Sequence, residues 1–231
     1  MQAGSKKSSQ TLPAESAHVV ELANISKSFP GVIANRDISL QVARATIHAI
    51  VGENGAGKST LMKILYGLHQ PDSGTIAING AITQFKSPSE AIAAGIGMVH
   101  QHFMLADNLT VLENIILGYE PTKYGVLSLG NARKRVKELA TSIGVDLDLD
   151  LPISELGVGQ RQRVEILKVL FRGAEILVLD EPTAVLVPQE VDELFTNLRK
   201  LVATGTTILF ISHKLDEVLS ISDQITVIRQ G

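Results

Sequence analysis

Apolar and polar residues alternate loosely from Val19 to Phe29 and again from Asp37 to Val42, which predicts two antiparallel strands. A short, mainly apolar run follows, Thr46–Val51 (TIHAIV), and enters a glycine-rich turn. Beyond the turn the pattern becomes helical over Lys58–Tyr66, with Gly67 as the stop. Thr75–Asn79 and Ile96–His100 are further strand candidates. Between Phe103 and Gly159 the character changes to helix-like pieces and loops. There Val136, Leu139, Ala140 and Ile143 fall on one stripe, and Gly144 stands where a C-cap belongs.

After Gly159 strands and helices alternate again. Ile176–Leu179 and Thr207–Ile211 are unbroken β-prone runs, as expected of parallel strands covered on both faces. The helix between them opens at Pro188 and carries acidic residues in its first turns. Its apolar stripe is Val191, Leu194, Phe195, Leu198 and Leu201, and Gly205 ends it. A last strand is predicted over Gln224–Ile228. The pattern gives an α/β fold: a mostly parallel sheet, an antiparallel β subdomain at the N-terminal side, and an inserted α-helical subdomain over about residues 103–172. Residues 18–231 read as one domain. Residues 1–17 are polar and Ser/Lys-rich and read as a disordered tail.

Composition narrows the function classes. Hydrophobic residues make up 45% of the chain, enough for a sizeable core, and the net charge of −3 implies no strongly basic face. Nucleic acid is therefore not expected as a partner, because backbone phosphates need clustered Lys and Arg. The absence of cysteine suits a reducing compartment. No apolar run approaches the roughly 20 residues of a membrane-spanning helix, so any membrane role would come through partner proteins.

The chemistry concentrates in a few places. Gly52-Glu53-Asn54-Gly55-Ala56-Gly57-Lys58-Ser59 satisfies the phosphate-loop pattern with a strand before it and a helix after it. Glycines let consecutive backbone N–H groups curl around phosphate oxygens, and the helix start adds its positive dipole end. Lys58 would reach the β- and γ-phosphates, Ser59 would ligate Mg²⁺, and Thr60 would add a phosphate contact. A RecA-like P-loop NTPase core is the fold that matches. Asp180-Glu181 closes the strand Ile176–Leu179, and ligand chemistry in open α/β sheets gathers beyond such carboxyl ends. Asp180 suits the Mg²⁺ shell through a water, and Glu181 suits a general base for the attacking water.

With these residues in order, the stretch from about Val19 to Gly231 resembles the ATP-binding domain of ABC transporters. The resemblance rests on the phosphate loop, Gln101 after a strand, Glu155-Leu156-Gly157-Val158-Gly159-Gln160 opening a helix, Asp180-Glu181-Pro182-Thr183, and His213 after a strand. It implies that Gln101 senses Mg²⁺ and attacking water and couples to the membrane part. It implies that His213 contacts the γ-phosphate and that Phe29 stacks on adenine. Gly157, Gly159 and Gln160 would cap the γ-phosphate of ATP held by a second, head-to-tail subunit. Taken singly, Gln101, His213 and Phe29 would be anonymous, and His100 and His102 are read as ordinary packing or surface histidines. Gly52–Met62, Gly97–Leu105, Leu109–Gly118 and Val158–Leu167 look like the ATPase subunit of importers for simple sugars or nucleosides, and like the first of its two fused halves. The resemblance thus implies permease subunits, a solute-binding protein behind them, and a cytoplasmic site on the inner membrane face.

Three features depart from that family pattern. Gly157 stands where Ser is usual, and so cannot offer a hydroxyl to phosphate. Val187 stands where a polar residue of the subunit-contacting loop is usual. The end at Arg229-Gln230-Gly231 reads as a truncated or split copy. The leading expectation is ATP hydrolysis driving import. Its alternatives are a hydrolysis-impaired half with a regulatory or structural role, and a soluble ABC ATPase.

Overall fold

The computed structural model describes residues 18–120, 122–123 and 126–231, so the expected tail over residues 1–17 lies outside the described residues. The chain opens on a long antiparallel pair, β1 (His18–Phe29) and β2 (Val32–Ala43), then enters β3 (Ile47–Val51) and α1 (Lys58–Leu65). A return pair follows, β4 (Ser73–Ile78) and β5 (Ala81–Thr83), then α2 (Pro88–Ala93) and β6 (Ile96–Val99). The inserted part holds α3 (Val111–Ile116), a minimal hairpin of β7 (Thr122–Lys123) and β8 (Val126–Leu127), α4 (Leu129–Ile143) and α5 (Val158–Phe171). The last third is β9 (Ile176–Asp180), α6 (Pro188–Ala203), β10 (Thr207–Ser212), α7 (Leu215–Ile221) and β11 (Gln224–Val227).

The strands form a four-stranded antiparallel sheet, order β2-β1-β4-β5, and a five-stranded sheet, order β11-β3-β10-β9-β6, whose neighbours all pair in parallel. The unbroken apolar runs have a direct cause. In β3, β9 and β10 alternate residues serve different cores. Ile47, Ala49, Leu177, Leu179, Ile208 and Phe210 face the side where α3 to α7 contribute. Ile50, Ile176, Val178, Leu209 and Ile211 face α1 and the antiparallel sheet. Two caps behave as the sequence predicts: Gly144 closes α4 in the left-handed region (φ 72°), and Pro188 occupies the first turn of α6.

Some boundaries differ from expectation. The second strand begins at Val32, five residues before Asp37, because pairing with β1 continues to the hairpin turn (Phe29 opposite Val32). That stretch was not legible as a strand because Val32 and Ile33 are both exposed and show no alternation. The helices α2 and α7 and the β7–β8 hairpin were also not foreseen, each being too short to establish a period. Among the described residues no helix is long and apolar enough to cross a membrane.

Candidate functional site

Between β3 and α1 the chain makes the glycine-rich loop, and two of its glycines are obligatory. Gly57 has φ +100°, and a Cβ there would lie 2.2 Å from the Ala34 carbonyl oxygen and 2.6 Å from Asn35 Nδ2. A Cβ on Gly52 would lie 2.2 Å from the Ile228 carbonyl oxygen. The loop is therefore pressed between β2 on one side and the segment after β11 on the other. Lys58 is only 5% exposed, and its ammonium donates to the carbonyls of Gly52 (2.7 Å) and Glu53 (2.9 Å). The cation is thus held inside the loop it serves. Asn54, Gly55, Ala56, Ser59 and Thr60 line the same cleft of about 530 Å³, whose far wall includes Gln101 and Glu181.

That wall comes from strand order. Parallel register sets Ile211 opposite Asp180, Ser212 opposite Val51, and Val99 opposite Leu179. The carboxyl ends of four strands thus finish in one row. β9 lies between β10 and β6, so Glu181 after β9 sits between His213 and Gln101. His213 Nδ1 is 3.1 Å from Glu181 Oε1, and Gln101 Nε2 donates to Glu181 Oε2 at 3.4 Å. Glu181 adopts a left-handed backbone (φ 49°), a costly conformation for a residue with a Cβ, and its N–H donates to the Ile211 carbonyl at 3.0 Å.

Beside the cleft, Ser59 Oγ donates to Asp180 Oδ1 at 3.1 Å. Burial pushes the Asp180 carboxyl above its ordinary pKa; the Ser59 hydroxyl opposes the shift and the neighbouring Glu181 charge adds to it. A cation bound beside Ser59 would relieve that desolvation. A hydroxyl, a carboxylate and an amide oxygen are the hard donors a Mg²⁺ ion takes, with phosphates and waters completing its shell. Among the described residues no group of three or more His, Cys, Asp or Glu could hold a metal ion. His100 is half-buried, edge-on to Tyr66, and burial lowers its pKa; His102 is exposed. Neither belongs to the cleft lining.

A comparison with known proteins decides the family. Residues 35–184 match the ABC transporter family. The chain belongs to it. The nucleoside import ATP-binding protein NupA of Lactococcus lactis subsp. cremoris is 50% identical over 213 residues, 92% of this chain and 42% of that protein. The ribose import ATP-binding protein RbsA 2 of Burkholderia ambifaria is 49% identical over 214 residues, 92% of this chain and 42% of that one. The chain therefore spans less than half the length of these relatives. Among solved structures, the ADP conformation of MJ1267, an ATP-binding cassette of an ABC transporter, is similar with a TM-score of 0.83 and 28% identity, covering 93% of this chain and 88% of that one. The dimeric post-hydrolysis state of the cassette MJ0796, bound to ADP and Pi, is similar with a TM-score of 0.77 and 27% identity, covering 92% and 95%.

The remaining site candidates of this ABC chain fall in two places. Phe29, at the end of β1, is 38% exposed and lines the cleft, with its ring edge against His69 (centroids 5.4 Å apart). Gly157, Gly159 and Gln160 do not line it. They form the N-terminus of α5, where Gly157 is the N-cap and its N–H donates to Gln160 Oε1 at 3.1 Å. The Gly159 N–H donates to Glu190 Oε1 at 3.2 Å, and a Cβ on Gly159 would strike that same oxygen at 2.6 Å.

Val187 proves to be the N-cap of α6. It has cap-like backbone angles (φ −79°, ψ 160°), no capping side chain, and 54% exposure. Only half of a reciprocal cap exists, with the Val187 N–H donating to Glu190 Oε2 at 3.1 Å. Val187→Thr, which preserves shape and adds the missing acceptor, is expected to stabilise the fold by about 1 kcal/mol, raising Tm by about 2–4 °C. A thermal melt unchanged or lowered by the substitution would count against this cap assignment.

Several site-supporting residues were missed in the sequence. Asn35 is fully buried in β2, and its amide donates to the Gly57 carbonyl at 3.1 Å. Thr183, Lys214 and Glu217 tie the segment after Glu181 to the segment after His213: Lys214 Nζ reaches the Thr183 carbonyl at 3.0 Å and Glu217 Oε1 at 2.9 Å. Single polar residues in strands or loops carry no period, and Asn35, followed by Arg36 and Asp37, stands at the end of a short apolar stretch with nothing local to mark it as buried.

Proposed function

We propose that this chain binds ATP with Mg²⁺ and hydrolyses it, as one ATPase half of an importer of the sugar or nucleoside type. One observation carries the reading. A phosphate loop with its lysine already internal sets its Ser59 against Asp180 and faces a carboxylate flanked by Gln101 and His213. In this reading the loop amides and Lys58 grip the β- and γ-phosphates, and Phe29 offers its ring to adenine. Glu181 takes the proton of the attacking water, while Gln101 and His213 hold its carboxylate in line. A Mg²⁺ ion held by Ser59, with Gln101 and Asp180 near it, would supply charge neutralisation on the phosphates.

The partner set follows from the relatives. NupA and RbsA 2 are named as import ATP-binding proteins, and MJ0796 is described as a dimer. The exposed N-termini of α5 and α6 lie apart from the chain's own cleft lining and suit a second, head-to-tail ATPase half. Transmembrane permease subunits, with a solute-binding protein beyond them, would place the chain on the inner face of the cell membrane. The deciding experiment is Mg²⁺-dependent phosphate release from ATP by the purified chain. Nucleotide binding with no release above a Glu181→Gln control would overturn the hydrolytic reading.

A second reading, a hydrolysis-impaired half, is motivated by Gly157. Its backbone is already cap-like (φ −65°, ψ 164°), and the nearest atom to an added Cβ is Gln160 Oε1 at 3.8 Å, so serine fits without strain. Gly157→Ser is expected to raise ATP turnover by about tenfold, the value of one hydrogen bond to a charged group, with nucleotide binding unchanged. Steady-state turnover no faster than the parent would refute a phosphate contact at this position.

A further inference from the structure

The segment after β6 carries Gln101 toward Glu181 with neither helix nor strand to support it. Among the described residues, the hydrogen bonds made by the backbone of residues 101–105 are both at Met104, and both go to charged side chains of α5. Glu165 Oε1 accepts from the Met104 N–H at 2.5 Å, and Lys168 Nζ donates to the Met104 carbonyl at 2.9 Å. These side chains are only 5% and 9% exposed, whereas the Met104 side chain points to solvent and anchors nothing. Two residues on, Asn114 holds the N–H and carbonyl of Ala106 at 2.7 and 3.1 Å.

A buried carboxylate and a buried ammonium are costly unless hydrogen bonds satisfy them. Burial lowers the Lys168 pKa, opposed by the Glu165 charge. Positions 165 and 168 are three apart on one helix face, which lets the two groups address the N–H and the C=O of a single residue. That residue lies three positions beyond Gln101.

We propose that Glu165 and Lys168 are positioning residues, a two-sided clamp on the Met104 backbone that sets where Gln101 stands against Glu181. The proposal rests on the reading of Gln101 as a contact to metal and attacking water. The same helix carries Gly157–Gln160 about 12 Å along its axis, so the clamp also ties Gln101 to the end of α5 that faces the second half.

The test compares Glu165→Leu, Glu165→Gln, Lys168→Met and Gln101→Ala in the full chain. Glu165→Leu and Lys168→Met should each lower kcat by about tenfold with KM for ATP moved less than about twofold; Glu165→Gln, which keeps a carbonyl acceptor, should retain at least about half of the activity. In a Gln101→Ala background, adding Glu165→Leu should cost under about twofold more, because the two act through one contact. A full tenfold added loss there would overturn the proposal and leave a merely structural role. Hydrogen exchange gives a readout independent of turnover: the Met104 amide should lose protection in Glu165→Leu while phosphate-loop amides do not. If the parent chain shows no turnover, the functional reading fails and exchange alone judges the clamp, with retained protection of Met104 overturning it. Should Glu165→Leu fail to fold, Lys168→Met takes its place in the Gln101→Ala comparison and Glu165→Ala in the exchange measurement, because the Met104 amide donates to Glu165 and not to Lys168.

Discussion

Glu181→Gln is expected to reduce ATP turnover by about 100-fold or more, the usual contribution of a positioned general base, while Mg-ATP binding changes by less than about threefold. The amide has the shape of the carboxylate and can keep contact with Gln101 and His213, which lie 3.4 and 3.1 Å from its oxygens. What it loses is proton affinity. The left-handed backbone at φ 49° comes from the turn after β9 and from the bond to the Ile211 carbonyl, so it should survive the change and leave Tm unaltered. In the proposed reading, nucleotide affinity is set across the cleft by the loop and Lys58. The measurements are phosphate release and equilibrium nucleotide binding on the same preparation. A variant that loses binding and turnover together would show that Glu181 is structural, not the base.

Gly57→Ala is expected to destabilise the chain by about 3 kcal/mol, the sum of left-handed backbone strain and overpacking, lowering Tm by about 6–12 °C. The added methyl would press on the Ala34 carbonyl at 2.2 Å, and β1 holds that strand in its sheet, so the loop must give way instead. Displacing the loop also breaks the Asn35 bond to the Gly57 carbonyl and moves Lys58, so ATP affinity should fall by at least about tenfold, one lost charge-assisted contact. Gly55→Ala is the matched control. Gly55 also has positive φ (+82°), but an added Cβ meets nothing within 4 Å, so only the strain remains, about 1–2 kcal/mol. Equal melting temperatures for the two variants would show that the close approach of loop and β2 is not what makes glycine necessary.

The two experiments probe opposite walls of one cleft, and the walls differed in how far they could be read in advance. The glycine-rich loop between β3 and α1 was legible as a loop, because glycine spacing, the lysine and the flanking strand and helix are local in the chain. The Asp180–Glu181 end of β9 was legible as a carboxylate pair after an apolar run. Gln101, His213 and Phe29 drew their roles from family resemblance, since each alone is a common residue in a common place. Asn35, Glu165 and Lys168 were assigned nothing, and Glu190 was read only as an acidic residue in the first turn of its helix. Glu165 and Lys168 sit inside an otherwise apolar helix face, and a charge there shows its purpose only when its partner is known.

By itself, then, the sequence determined the strand-and-helix period, the parallel character of the buried strands and the glycine-rich turn between β3 and α1. All of these follow from side-chain alternation and backbone sterics within a few residues. Tertiary structure decided which strand lies beside which. Placing β9 between β10 and β6 is what brings Glu181 between His213 and Gln101, residues 32 and 80 positions away. Strand order depends on how two cores share one sheet, and no local period records it. The same holds for α5, whose buried charges find their partner 61 and 64 residues away at Met104.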